Sequence, residues 1–194
     1  MITMKTIIKI VLALLLVALV VSCKDKADST DDKVTVQETE NNNSAEKKGQ
    51  AFISDDVSPP NVLDVAMDSK DHTTLVAAVQ AADLENALVN AGPLMVFAPT
   101  NKAFDALPEG TVTDLLKPEN KAKLAYILKH HVTPGNYNKE FLKKFKKLGQ
   151  ASDQNVAISV KGDDVYVGGA KIIASISASN GIIHVVDKVI VPEE

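Results

Sequence analysis

Asn180-Gly181-Ile182-Ile183-His184-Val185-Val186-Asp187-Lys188-Val189-Ile190-Val191-Pro192 is the stretch that decides the fold of this chain. Asn-Gly is a strong hairpin signal, because a two-residue type I′ turn needs positive φ at both central positions. The turn expected here joins residues 172–176 to residues 182–186, two β-branched runs that then lie antiparallel. The same pattern extends upstream. Val156, Ile158 and Val160 alternate with small or polar residues, Lys161-Gly162-Asp163-Asp164 makes a turn, and Val165 and Val167 pair back.

Ahead of Pro134-Gly135 the periodicity is helical. Residues 61–67 form a short helix candidate, and Thr73 or Thr74 can cap the next, where Leu75, Ala78, Val79 and Ala82 share one face. Residues 83–89 continue as a second short helix, stopped by Asn90-Ala91-Gly92-Pro93. Leu94-Met95-Val96-Phe97-Ala98 is a compact apolar run bounded by prolines, which suits a buried strand. Residues 101–107 read as a turn of helix. Pro118 opens a longer helix through His130, with Leu124, Ile127 and Leu128 inward. Helices in front and an antiparallel sheet behind predict an α+β domain.

Three segments, in this order and spacing, resemble the fasciclin domain family. The first is Leu94-Met95-Val96-Phe97-Ala98-Pro99-Thr100-Asn101-Lys102-Ala103-Phe104. The second runs from Leu107-Pro108-Glu109-Gly110-Thr111 through Leu115-Leu116-Lys117-Pro118 to His131-Val132-Thr133-Pro134-Gly135. The third is the closing stretch from Asn180. Together they place a fasciclin-like domain at residues 55–194. The resemblance implies a wedge of two packed β-sheets with helices along one side, and an extracellular, non-enzymatic role in cell adhesion or matrix contact. Because a few fasciclin-like proteins hold apolar pigments, it also implies an alternative role as carrier of a small apolar ligand, lipid or pigment, in the envelope. Many members carry Tyr-His where this chain has His130-His131, so a receptor-binding role tied to that tyrosine is not carried over.

The chain's only cysteine, Cys23, follows basic Lys5 and Lys9, an apolar run at residues 10–21, and Ser22. A spanning helix needs about 20 apolar residues. The shorter run with a basic flank and small-residue exit has the layout of a cleaved secretory signal. Val20-Val21-Ser22-Cys23 resembles a bacterial lipobox with Val in place of the usual Leu, so residues 1–22 are expected to be a lipoprotein signal peptide and Cys23 the lipidated residue. An ordinary secretion signal or a short uncleaved anchor is the alternative. Residues 23–54 hold few large apolar side chains and are expected to form a disordered polar tether. About 30 such residues span on the order of 30 Å. The expected location is the bacterial cell envelope, lipid-anchored, at the outer membrane or cell surface. One cysteine cannot form an internal disulfide, so the domain must be held by its core.

A net charge of −4, no tryptophan and few aromatics argue against nucleic-acid binding. Lys139, Lys143, Lys144, Lys146 and Lys147 alternate with Phe141, Leu142 and Phe145, and Phe141 and Phe145 are spaced to anchor one helical face. Lys143, Lys144, Lys146, Lys147 and His130 are the candidate contacts for a protein or polysaccharide partner, the alternative being a solvated charged face. Thr100 or Asn101 can cap the helix after the first motif, and an Asn side chain can also bridge two backbone segments. His131 is expected to be a core histidine bonded through one ring nitrogen, and His184 a structural residue alternating with Ile182 and Val186. His72 is expected to be exposed. Adjacent His130 and His131 diverge too far to share a metal. With no Gly-x-Ser-x-Gly elbow and no phosphate cradle, neither metal, cofactor nor enzymatic activity is expected.

Overall fold

In a computed structural model the described residues run from Ser58 to Pro192. The segment read as a signal, Cys23 and the polar stretch to residue 54 lie outside them. The first half supplies helices α1 (Val62–Met67), α2 (Thr73–Ala81) and α3 (Glu85–Asn90), then strand β1 (Leu94–Pro99). Helices α4 (Asn101–Asp105), α5 (Thr111–Leu115) and α6 (Lys121–Lys129) follow, leading into β2 (Val132–Pro134) and a single turn, α7 (Lys139–Leu142). The rest is sheet: β3 (Lys147–Gly149), β4 (Asn155–Lys161), β5 (Asp164–Val167), β6 (Ala170–Ala178) and β7 (Gly181–Val186). The chain is α+β as expected. Among the described residues no helix is long and apolar enough to cross a membrane.

The seven strands form one hydrogen-bonded order, β2-β1-β7-β6-β5-β4-β3. At its centre β1 runs parallel to β7, Leu94 opposite Gly181 and Pro99 opposite Val186. Both strands are buried along their whole length. A strand covered on both faces reads as a continuous apolar run rather than an alternating one, which is how Leu94 to Ala98 appears in the sequence and, but for His184, Ile182 to Val186. Met95, Phe97, Ile182 and Val186 face one core, and Val96, Ala98, Ile183 and Val185 face the other. The first core also takes Leu148, Val156, Ile158, Val165 and Val167 from the far end of the order. One ladder therefore curls until β3, β4 and β5 share a core with β1 and β7, and this is the form that the wedge takes. The second core lies under α1, α2 and α6. Fully burying a side chain such as Phe97 contributes about 3 kcal/mol.

Asn61 starts α1 with a capping box: its side chain accepts from the Leu63 and Asp64 amides while Asp64 bonds back to the Asn61 amide at 2.9 Å. The helix expected from Pro118 is divided into a 3-10 turn, Pro118–Asn120, and α6. Helix α3 starts two residues later than residue 83, because Asp83 adopts φ 53° and cannot continue a helix. Asp83 instead meets Lys121 in an ion pair.

The β6–β7 hairpin forms, but its loop is Ser179-Asn180, one residue earlier than expected, because Ala178 pairs with Gly181. Neither Asn180 nor Gly181 has positive φ, so the turn is not type I′. Gly181 is needed because a Cβ there would stand 1.8 Å from the Leu94 carbonyl oxygen, across the parallel β1–β7 contact. Asn180 binds at long range. Its Oδ1 accepts from the Val62 amide at 2.9 Å and its Nδ2 donates to the carbonyls of Leu88 and Ala91 at 2.7 and 3.2 Å. One side chain thus ties α1 and the end of α3 to the sheet.

Candidate interaction surface

The two residues opening the first motif take one role each. Thr100 Oγ1 caps α4 by accepting from the Ala103 amide at 3.3 Å. Asn101 does the bridging: its Oδ1 accepts from the Thr74 amide at 3.0 Å and the Thr73 hydroxyl at 3.2 Å, and its Nδ2 donates to the Lys70 carbonyl at 2.9 Å. Neither Thr73 nor Thr74 caps α2 with its own side chain. The open amide of α2 is satisfied by Asn101 from another part of the chain. This role follows from tertiary approach, not from local capping preference.

His131 is fully buried and uses both ring nitrogens. Nε2 accepts from the Ile190 amide at 2.9 Å, so the proton sits on Nδ1 and is donated to the Ile127 carbonyl, also at 2.9 Å. Burial pushes its pKa down to about 4, with the Ile127 bond opposing the shift and neighbouring His130 adding to it. His184 is 0% exposed. It stacks on Phe97 at 5.7 Å, donates from Nε2 to the Tyr137 carbonyl at 2.8 Å, and accepts at Nδ1 from Ser175 at 2.8 Å. Desolvation lowers its pKa as well. Both histidines are packed, hydrogen-bonded struts of the core.

Two expectations for histidine are corrected. His72 is buried rather than exposed, with Nδ1 on Ser69 Oγ at 2.9 Å and Nε2 unpartnered among the described residues. Its pKa is lowered by desolvation. His130 is 3% exposed, with Nδ1 2.9 Å from Ser152 Oγ, and its pKa is lowered by desolvation. A ring so withdrawn has no face to offer a partner, so His130 leaves the set of candidate contacts. Among the described residues no group of three or more His, Cys, Asp or Glu could hold a metal.

The lysine-rich segment is not one helical face. Helix α7 ends at Leu142, and Lys147 already belongs to β3. Asn138 Oδ1 caps the turn at the Phe141 amide, 2.8 Å away, and Leu142 is its fully buried anchor. Phe141 and Phe145 nevertheless meet edge-on at 5.5 Å. Tyr137 completes a three-ring cluster, 5.4 Å from Phe141 and 5.2 Å from Phe145. Sequence reasoning missed Tyr137, although the regular spacing 137, 141, 145 carried the signal. Phe141 is 41% exposed, with the Lys144 ammonium 4.8 Å above its ring. Lys143 is half-buried and paired with Glu140 at 2.8 Å, which holds its pKa up. Lys144, Lys146 and Lys147 are exposed. Of the four lysines, Lys144 is the one that stands over the aromatic cluster, while Lys146 and Lys147 are exposed in the segment that follows it.

A second feature lies inside the helical half. A cavity of about 200 Å³ is enclosed by α1, α2 and α3 against β1, with Val62, Val79, Leu88 and Val96 in its walls. Among the described residues His131 and Lys129 are the only polar ones lining it.

Residues 70–192 match the family profile described as the fasciclin domain. Protein sll1483 of Synechocystis is 47% identical over 132 residues, 68% of this chain and 73% of that protein. The transforming growth factor-beta-induced protein ig-h3 of Sus scrofa is 35% identical over 139 residues, 70% of this chain but 20% of that protein. A solved domain pair from the insect cell adhesion molecule fasciclin I aligns with a TM-score of 0.47 at 18% identity, covering 59% of this chain and 43% of that one.

Proposed function

The chain belongs to the fasciclin domain family, and from that premise we propose that it is a non-enzymatic adhesion and interaction module of a bacterial cell envelope. Fasciclin domains typically serve adhesion or extracellular-matrix interaction. In the proposed arrangement a lipid on Cys23 moors the chain at the outer membrane or cell surface, residues 23–54 act as the tether, and the folded part binds a protein or polysaccharide.

The observation that carries this reading is the Tyr137–Phe141–Phe145 cluster with the Lys144 ammonium over the exposed Phe141 ring and Lys146 and Lys147 exposed in the chain that follows. Local positive charge on an acidic protein attracts anionic partners and steers their approach. An exposed aromatic supplies apolar contact at little entropic cost. The test is saturable binding of the protein to anionic envelope polysaccharide, compared with the variant Lys144→Glu/Lys147→Glu. The expected outcome is binding that weakens with added salt, as screening requires, and that the double variant loses. Equal binding by the two proteins refutes the patch as the contact surface.

The cavity favours a second reading, carriage of a small apolar ligand. Mass spectrometry of the natively purified protein tests it: a stoichiometric apolar molecule supports carriage, and a ligand-free protein that also takes up no added apolar probe removes it.

A further inference from the structure

We infer that the cavity under α1, α2 and α3 binds a medium-chain carboxylate, with the hydrocarbon tail inside and the carboxylate at Lys129. This deepens the carrier reading and rests on it. The polarity of the walls comes first. Of the residues around the space only Lys129 and His131 have polar side chains. The imidazole of His131 is spent on Ile127 and Ile190, leaving no donor or acceptor for a guest. With its one unspent polar group at the rim, the apolar interior favours hydrocarbon over water.

Size sets the length of the guest. A dry cavity of about 150 Å³ takes up benzene, about 25 Å³ per carbon, so 200 Å³ accommodates about eight carbons. A full membrane acyl chain exceeds it about two-fold on the same scale, and a long pigment by more. Charge sets the other end. Ala87, Ala91, Lys129 and Ala151 line the space and are themselves exposed, so the cavity reaches solvent between them. Lys129 is the only charged residue of that rim, and it makes no ion pair among the described residues. A chain entering tail first leaves its headgroup beside this ammonium, which selects an anion.

The experiment titrates octanoate, octylammonium, hexadecanoate and benzene into the full chain purified without detergent, followed by methyl NMR shifts and thermal melting. Octanoate is expected to saturate and to shift methyls of Val79 and Leu88. Octylammonium and hexadecanoate are expected to bind more weakly. Lys129→Glu is expected to weaken octanoate about five-fold, the scale of an exposed ion pair, and to leave benzene unchanged. Ala66→Leu, which fills the space from α1, is expected to abolish both. Octanoate binding that Lys129→Glu or Ala66→Leu leaves intact overturns the assignment, as does hexadecanoate binding that equals octanoate. Benzene entering where octanoate does not keeps the carrier reading and removes the carboxylate. Neither probe entering removes both.

Discussion

Acid should loosen this domain through His131. The neutral ring accepts from the Ile190 amide and donates to the Ile127 carbonyl. A second proton would put two donors, Nε2–H and the Ile190 amide, face to face. The histidine pKa in the fold is about 4, against 6.5 for an unperturbed imidazole. Between these values the unfolded chain binds more protons than the native one, so stability falls as pH falls. The contribution is intact above about pH 6.5 and is lost progressively toward pH 4. Taking about 1.4 kcal/mol per pKa unit, the full loss is about 3.4 kcal/mol, and about 3 kcal/mol is gone at pH 4, where the native ring is half protonated. The other buried histidines shift in the same direction, so the variant must isolate His131. His131→Gln keeps one donor and one acceptor but cannot take the proton. Urea unfolding of both proteins at pH 7 and pH 4, followed by circular dichroism because the chain has no tryptophan, gives two differences. The wild-type difference should exceed that of the variant by about 3 kcal/mol. Equal differences would refute the assignment of the acid-sensitive step to this ring.

Gly181→Ala should cost about 3 kcal/mol or more, since overpacking against backbone leaves nothing flexible to yield, and thermal melting will show it. Asn180→Ala should cost about 2–4 kcal/mol by leaving the buried Val62 amide and the Leu88 carbonyl without their partner. Asn180→Asp should be no better in the same melts, because a carboxylate would face the Leu88 and Ala91 carbonyls. Thr100→Ala should cost about 1 kcal/mol, the usual effect of removing an N-cap, whereas Asn101→Ala should cost more because it releases both the start of α2 and the Lys70 carbonyl from α4.

What the sequence revealed divides along the range of the forces involved. Alternation in Val156, Ile158, Val165 and Val167 and the unbroken run of Leu94 to Ala98 announced their strands, because side-chain period and burial are written in neighbouring residues. His131 was legible as a core residue from the apolar company it keeps, and His184 as a structural one, though not as fully buried. Contacts made at a distance were not. Asn180 looked like a turn former, but it binds Val62, 118 residues away. His72 looked solvent-facing beside Asp71 and Lys70, and only packing of the tertiary structure buries it. The helical face proposed for residues 139–147 failed because the run is interrupted after Leu142, where the chain turns into β3. The aromatic cluster survived that error because its rings meet through tertiary proximity.

The parallel contact between β1 and β7 has a consequence for how the polypeptide matures. A ribosome delivers Leu94 long before Gly181, so the central strand waits unpaired on that side while roughly 80 further residues are synthesised. Long-range pairing of this kind is slow to form. Until the final strand emerges, the edge of β1 that β7 covers has no strand to pair with.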